Sequence, residues 1–500
     1  MVAAVALLAA CTAEAPEKTA TPVEDATGAA TGAESAPEGF EEFYGQDLEW
    51  ETCRSGFECA TATAPLSWDD PEAGSIELAL MRSRASGEKV GSLLVNPGGP
   101  GGSGVDYLES AVETYGEPLR ESFDVVGFDP RGVEDSSAVE CYGYAEKNEY
   151  LAEDFDLSTE QGLEGARRSS AAWAEACGEN TGELLGEVDT QSAAKDLDML
   201  RAALGDSQLH YLGFSYGTSL GATYAGLFPD RAGRLVLDGA IDPTLDDGEM
   251  SEGQAVGFEN ALRAYVTDCQ AGSDCPLTGS VDEGMQQVRG VLDAAYDRPY
   301  PTSGEREVTQ SLAFYGVAVT LYAEQNWPIL TQALDEAINA GTGDTLLYLA
   351  DFYNDRNADG SFSTNSTEAF SAVNCLDSRS SDDVDEMRAQ AAEIEEAAPT
   401  MGTFFTYGGL ACASWPYPEV EQEYDVAAPG APPIVVIGTT NDPATPYVWS
   451  EGMADTLESG VLVTYEGEGH TAYGRSNDCI AGAVEDYLVE GTVPEDGLTC

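Results

Sequence analysis

The pentapeptide Gly213-Phe214-Ser215-Tyr216-Gly217 follows the short apolar run Leu209 to Leu212 and opens directly into a helical pattern. A serine on a tight strand-to-helix turn is held in a strained backbone conformation that lifts its hydroxyl above the sheet. Glycines flank it because side chains there would collide with the strand and the helix. Such a hydroxyl can attack a carbonyl when an imidazole takes its proton. The chain has 2 histidines. His210 lies in the strand that feeds the turn and reads as a core residue. His470 lies in Glu466-Gly467-Glu468-Gly469-His470-Thr471, a glycine-rich loop after the apolar run Val461 to Tyr465, and reads as the general base. A carboxylate must orient that imidazole, and Asp442 is best placed, just beyond the buried-strand signature Pro433 to Gly438. A tetrahedral intermediate needs two amide donors. Gly99, in the loop Asn96 to Gly104, and Tyr216, directly after the nucleophile, are the candidates. A base of this kind must be neutral, so kcat/KM is expected to rise through roughly pH 6 to 7.

The elements around these residues alternate. Apolar runs near 91 to 95, 123 to 128, 209 to 213 and 234 to 238 read as strands, and 192 to 204 and 217 to 228 as helices. The alternation predicts an α/β fold with a doubly wound, mostly parallel sheet. From about 245 to 405 the pattern is helical and amphipathic, in Phe258 to Cys269, Val308 to Glu324 and Pro328 to Ala340. Strands resume at 433 to 438 and 461 to 465, before a helix from about Asn477 to Leu488. An insertion of this kind between the nucleophile's strand and the acid's strand is expected to form a cap over the catalytic edge. The order serine, aspartate, histidine is that of an α/β-hydrolase.

The stretch from Ser192 to Pro243, with DLDMLRAALG, YLGFSYGTSLGATYAGLFPDR and RLVLDGAIDP, resembles the secreted tripeptidyl aminopeptidases of actinobacteria, α/β-hydrolases related to the proline iminopeptidases. NPGGPGGSG at 96 to 104 is similar to that family's oxyanion loop and FDPRG at 128 to 132 to its next strand and turn. GTTNDPATP at 438 to 446 and GEGH at 467 to 470 are similar to its C-terminal catalytic segment. The likeness spans about residues 50 to 500. The family usually continues DPRG with a small-residue turn, whereas this chain has Val133-Glu134-Asp135-Ser136, two extra carboxylates at the edge of the expected cleft. The resemblance implies removal of short peptides, typically tripeptides, from free N-termini, without a cofactor. An aminopeptidase needs an anion to capture the substrate's ammonium at a fixed distance from the serine. Glu324, before Trp327-Pro328, and Asp377, after Cys375-Leu376, are the candidates. Two alternatives share the scaffold: a carboxylesterase or lipase, and a catalytically inactive surface binding protein.

Length and composition agree with such a chain. Five hundred residues with 42% hydrophobic content allow two or three domain-sized units. A formal charge of −68, from 22 basic and 90 acidic residues, excludes nucleic acid as a partner because phosphate would be repelled. Peptide substrates are the expected partners, and a monomer the expected state. Val2 to Ala10 reads as the end of a signal peptide and Leu8-Ala9-Ala10-Cys11 as a lipobox, which would attach a lipidated Cys11 to the outer membrane face. The expected organisation is residues 1–11 signal remnant and lipobox, 12–45 disordered tether, 46–244 first part of the core, 245–405 helical cap and 406–500 second part of the core.

Without Cys11, 10 of the 11 cysteines remain, an even number suited to an oxidising compartment outside the cell. Ten cysteines allow 945 pairings. Neighbour pairing is expected, as Cys53/Cys59, Cys141/Cys177, Cys269/Cys275, Cys375/Cys412 and Cys479/Cys500, because two of these pairs are six residues apart and the last would clamp the C-terminus beside the His470 loop. No Cys/His cluster suggests a metal.

Overall fold

The computed structural model describes residues 32–500 except 55, 379, 380 and 382. Cys11 and the lipobox lie outside the described residues. Ten strands form one sheet: β1 Glu51–Thr52, β2 Glu58–Pro65, β3 Ser75–Ser83, β4 Gly91–Asn96, β5 Phe123–Phe128, β6 Leu209–Phe214, β7 Ala232–Asp238, β8 Ile434–Asn441, β9 Gly460–Glu468 and β10 Leu498–Thr499. Their order is β1-β2-β3-β5-β4-β6-β7-β8-β9-β10. The first three run antiparallel to their neighbours, and from β5 through β10 the pairing is parallel. Strands β4 to β7 are buried at every position, as a parallel sheet covered on both faces requires. One covering layer includes the helices Thr190–Ala203 and Tyr216–Leu227, and the other Gly104–Ala111 and Asp478–Glu490.

The N-terminal hairpin β2-β3 is an addition to the expected core. Its alternating small and apolar residues pack only one face densely, so it lacks the continuous apolar signature of the parallel strands. The tether expected over 12–45 also needs correction at its C-terminal end. Phe40 and Tyr44 are buried, the Tyr44 hydroxyl donates to Asp198 Oδ2 at 2.9 Å, and Arg231 Nη2 donates to the Ser35 carbonyl at 2.9 Å. A polar, small-residue average over the whole segment hides three aromatics, Phe40, Phe43 and Tyr44, that find a place in the core.

Between β7 and β8 the chain is helical, with Asp247–Ala271, Val281–Asp297, Gln310–Leu321, Trp327–Asp335, Asp344–Tyr353, Ser366–Asp377 and Val384–Ala397 as its long helices. Capping boxes start the first two, at Asp246/Glu249 and Ser280/Glu283. Five of the helices share an apolar core that includes Tyr265, Leu292, Val317, Leu330 and Leu346. A second segment joins them: the crossover from β5 to β6 carries the helices Tyr144–Tyr150 and Glu160–Thr181. Its buried Lys147 donates to Glu368 Oε2 at 2.6 Å, and Asp154 accepts from the amides of Gln310 and Ser311 at 2.8 Å each. The helical layer is therefore built from two parts of the chain, not one.

Five disulfides join Cys53–Cys59, Cys141–Cys177, Cys269–Cys275, Cys375–Cys412 and Cys479–Cys500, so every pair is between sequence neighbours. Among the described residues no helix is long and apolar enough to cross a membrane, and no group of three or more His, Cys, Asp or Glu is placed to hold a metal ion.

Candidate active site

Ser215 sits between β6 and the helix Tyr216–Leu227 with φ 55° and ψ −125°, a conformation that costs a side-chain-bearing residue about 1–3 kcal/mol. The neighbours enforce it. A Cβ on Gly213 would lie 2.3 Å from the Gly217 carbonyl oxygen, and one on Gly217 would lie 2.8 Å from the Asn96 carbonyl oxygen, so the turn closes only with glycine at both places. The Ser215 amide donates to the Asp238 carbonyl at 2.9 Å, and the Ser215 carbonyl accepts from the Thr218 hydroxyl at 2.6 Å.

His470 follows β9. Its Nδ1 lies 2.9 Å from both carboxylate oxygens of Asp442, whose side chain is fully buried beyond the end of β8. Asp442 also accepts from the amides of Ala444, Thr445 and Thr471 at 2.9, 2.9 and 3.0 Å. Three backbone donors and an imidazole hold one carboxylate in place, and they leave Nε2 as the ring nitrogen free to exchange a proton. The Thr445 hydroxyl is 3.3 Å from Nδ1. From the helical layer, the Tyr322 carbonyl accepts the His470 amide at 2.9 Å, and the Tyr322 ring meets the imidazole edge to face with centroids 5.3 Å apart.

Gly239, the residue after Asp238, neighbours both the Ser215 turn and the imidazole. A Cβ built on Gly239 would lie 3.4 Å from His470 Cε1, while the carbonyl just before Gly239 holds the Ser215 amide. The Ser215 hydroxyl makes no hydrogen bond to the ring in this arrangement, a common state before substrate draws such pairs together.

The loop after β4 lies directly on the turn. A Cβ on Gly98 would be 3.0 Å from both Ser215 Cβ and the Tyr216 amide nitrogen. The Gly98 amide is taken by Asn96 Oδ1 at 2.9 Å, whereas the Gly99 amide has no acceptor among the described residues. Tyr216 opens its helix, so its amide has no intrahelical acceptor either. On its far side the loop abuts the helix Ser366–Asp377, where a Cβ on Gly101 would lie 2.8 Å from the Ser366 carbonyl oxygen. Glu134, one of the two extra carboxylates of the DPRG turn, is part of this contact: its amide donates to Asn365 Oδ1 at 2.9 Å and its carboxylate accepts from the Asn365 amide.

The two candidate ammonium anchors separate. Glu324 is exposed, two residues beyond Tyr322, and its charge helps burial to raise the Glu468 carboxyl in the His470 loop. Asp377 is a correction. Both its oxygens are engaged by Thr190, from the amide at 2.7 Å and the hydroxyl at 2.5 Å, and burial lifts its pKa to about 7. Asp377 is thus held by the start of the helix Thr190–Ala203 and is only about half ionised at pH 7, which disfavours it as the anchor for a substrate ammonium. His210 is buried within the sheet against Phe123, edge to face at 5.3 Å, and its Nδ1 accepts from the Arg234 amide at 3.3 Å.

Asp238, Tyr322, Thr445 and Glu468 escaped the sequence reading. Asp238 left one usable signal, an aspartate closing the apolar strand next to the strand that feeds the Ser215 turn. Tyr322 left none, because its contact is made by a backbone carbonyl.

Buried carboxyls around the site have a thermodynamic consequence. Burial raises Asp129 and Asp238 to about 6 and Glu134 and Asp377 to about 7. Each folded-state pKa lies above its unfolded value, so the folded chain holds more protons between roughly pH 4 and 7. The stability from these protons is complete at about pH 4 and is lost as pH rises through 6 to 7. The expected Tm at pH 5 exceeds that at pH 8 by an amount on the order of 5 °C, measured by calorimetry at constant ionic strength. A Tm that falls on going from pH 8 to pH 5 would contradict this.

A mostly parallel sheet with a serine on a strained strand-to-helix turn, and an Asp–His pair on the loops after the last long strands, defines an α/β-hydrolase. The family profile described as TAP-like protein matches residues 398–500. Over 481 residues the chain is 37% identical to the serine protease Hip1 of Mycobacterium tuberculosis, covering 91% of each chain. It is 35% identical to carboxylesterase B of the same species, over 92% of this chain and 88% of that one. It is 29% identical to the tripeptidyl aminopeptidase of Streptomyces lividans, over 91% and 86%. The chain belongs to this actinobacterial family of tripeptidyl aminopeptidase-like α/β-hydrolases.

Proposed function

We propose that the protein is a serine exopeptidase that releases short peptides, tripeptides foremost, from free N-termini. The observation that carries the reading is the bidentate contact of Asp442 with His470 Nδ1 on the sheet edge where Ser215 is held in its strained turn. The relatives named serine protease and tripeptidyl aminopeptidase support peptides as the substrate class.

In the mechanism, His470 Nε2 takes the Ser215 proton as Oγ bonds to the scissile carbonyl carbon. The amides of Gly99 and Tyr216 hold the oxyanion, and Asp442 stabilises the imidazolium. His470 then protonates the departing amine as the C–N bond breaks. Water repeats the sequence on the acyl-enzyme, giving its proton to His470 and releasing the acid.

Glu324, with Glu468 beside it, would capture the substrate's ammonium; their mutual repulsion supports a site that favours a cation. Glu324→Gln is expected to raise KM for a free-amine tripeptide amide about tenfold or more and to leave hydrolysis of an N-acetylated ester unchanged. Equal effects on both substrates would exclude Glu324 from this role.

The paired cysteines support an oxidising, extracellular location, and the sequence around Cys11 supports export with lipid attachment at that residue. A second reading, carboxylesterase, is favoured by the relative of that name. A chromogenic tripeptide amide assayed beside a p-nitrophenyl ester separates the two, since a peptidase cleaves the amide efficiently and an esterase only the ester. Absence of a fluorophosphonate adduct on Ser215 in folded protein would exclude both and leave a binding role.

A further inference from the structure

Parallel pairing of β7 with β8 sets Asp238 opposite Ile437 in the register, so two aspartates, Asp238 and Asp442, rise at the same edge from neighbouring strands. Only the second touches the imidazole. The first is fully buried and turns to the backbone of the His470 loop: both its oxygens are 3.0 Å from the Ala472 amide, and Oδ2 accepts from the Tyr473 amide at 2.7 Å. The preceding amide, Thr471, goes to Asp442 Oδ2 at 3.0 Å. Three successive N–H groups thus converge on two carboxylates, an arrangement of backbone donors that suits anions. It includes a backbone that does not relax by itself, since Thr471 has φ +64°, a left-handed conformation disfavoured for a β-branched residue. Through its own carbonyl, Asp238 also holds the Ser215 amide. One residue therefore ties the nucleophile's turn to the base's loop.

We infer that Asp238 is a positioning residue for catalysis, which fixes the strained His470 loop relative to Ser215 and, when ionised, adds a second negative charge near the imidazole. The inference rests on His470 acting as the base. The titratable groups that face the Asp238 carboxyl are His470 and Asp442 from the loops after β9 and β8, and Tyr107 from the helix Gly104–Ala111. Of these, the charge of His470 favours ionised Asp238 and that of Asp442 opposes it. By reciprocity ionised Asp238 favours the imidazolium, an effect present only on the neutral side of about pH 6, to which burial raises this carboxyl. Removing the charge should therefore move the acid limb of the activity profile to lower pH, while loosening the loop should slow turnover. Simple loss of folded protein would do neither once rates are referred to labelled active sites.

The test is Asp238→Asn in the full chain, with active sites counted by a fluorophosphonate probe and kcat and KM measured from pH 5 to 8 on a tripeptide amide. The expected result is a fall in kcat of about 10- to 100-fold with KM within about threefold, and an acid limb displaced downward. An unchanged kcat with an unmoved acid limb overturns the inference. A fall in kcat with an unmoved limb overturns its electrostatic part. If the asparagine variant does not accumulate as folded protein, Asp238→Glu is measured in the same way. It keeps the charge and misplaces the acceptor, so kcat should fall with the acid limb in place; a normal kcat again overturns the inference. Failure of the wild-type protein to label at Ser215 would instead refute the hydrolase mechanism itself, so the two failures are distinguishable.

Discussion

Ser215→Ala is expected to lower kcat/KM for a tripeptide amide by about 10⁵- to 10⁶-fold and to abolish fluorophosphonate labelling, while the fold and the disulfides persist. The size of the effect follows from the attack itself: no other side chain is placed on the turn between β6 and its helix, so the covalent route is lost rather than slowed. A second variant adds a stability readout. Ser215→Gly removes the same hydroxyl but also relieves the positive φ, so it should melt higher than Ser215→Ala. In the proposed mechanism this strain serves the attack geometry and opposes stability, as strained functional residues commonly do. Residual activity of Ser215→Ala above about a thousandth of wild type would refute the nucleophile assignment.

Asp442→Asn is expected to lower kcat by about 10⁴-fold with a much smaller effect on KM. At present the carboxylate accepts everything offered to it: the imidazole Nδ1–H and the amides of Ala444, Thr445 and Thr471. An asparagine has one acceptor oxygen for these four donors. If that oxygen stays with the backbone amides, the side-chain NH2 faces Nδ1 and selects the tautomer with the proton on Nε2. That nitrogen then cannot take the serine proton. The effect should exceed that of the same change at Asp238, because Asp238 touches the loop and not the ring. Equal losses would refute this ranking, and a larger loss at Asp238 would mean that the two carboxylates have exchanged their roles. Full-length protein at equal labelled-site concentration is the basis for the comparison.

Much of the sheet was legible in advance because parallel strands covered on both faces are continuous apolar runs, such as Leu209 to Leu212 and Ile434 to Ile437. For two of the five cysteine pairs, Cys53–Cys59 and Cys269–Cys275, the pairing was legible for a different reason: a separation of six residues keeps the ends close in any compact state. The hairpin β2-β3 and the packed segment around Phe40 to Tyr44 were not, since small alternating residues and three isolated aromatics carry little periodic signal. The second contribution to the helical layer, from Tyr144–Tyr150 and Glu160–Thr181, was hidden as well. Helices between β5 and β6 look like an ordinary crossover until the buried Lys147–Glu368 pair joins them to the later insertion.

At the site itself, residue type and order alone specified a glycine-flanked serine, an aspartate after a buried strand and a histidine on a late loop, and these define the class of chemistry. Local sequence carries such features because a strained turn demands glycine at particular offsets, and because only one histidine lies outside the sheet. The carboxylates were another matter. Among 90 acidic residues, pattern cannot tell a free Glu324 from an Asp377 closed off by Thr190, nor single out Asp238 as the clamp on the His470 loop. Those distinctions depend on through-space contacts between strands and loops more than a hundred residues apart, where each carboxylate finds its donors only after the sheet has brought β7, β8 and the last loops to one edge.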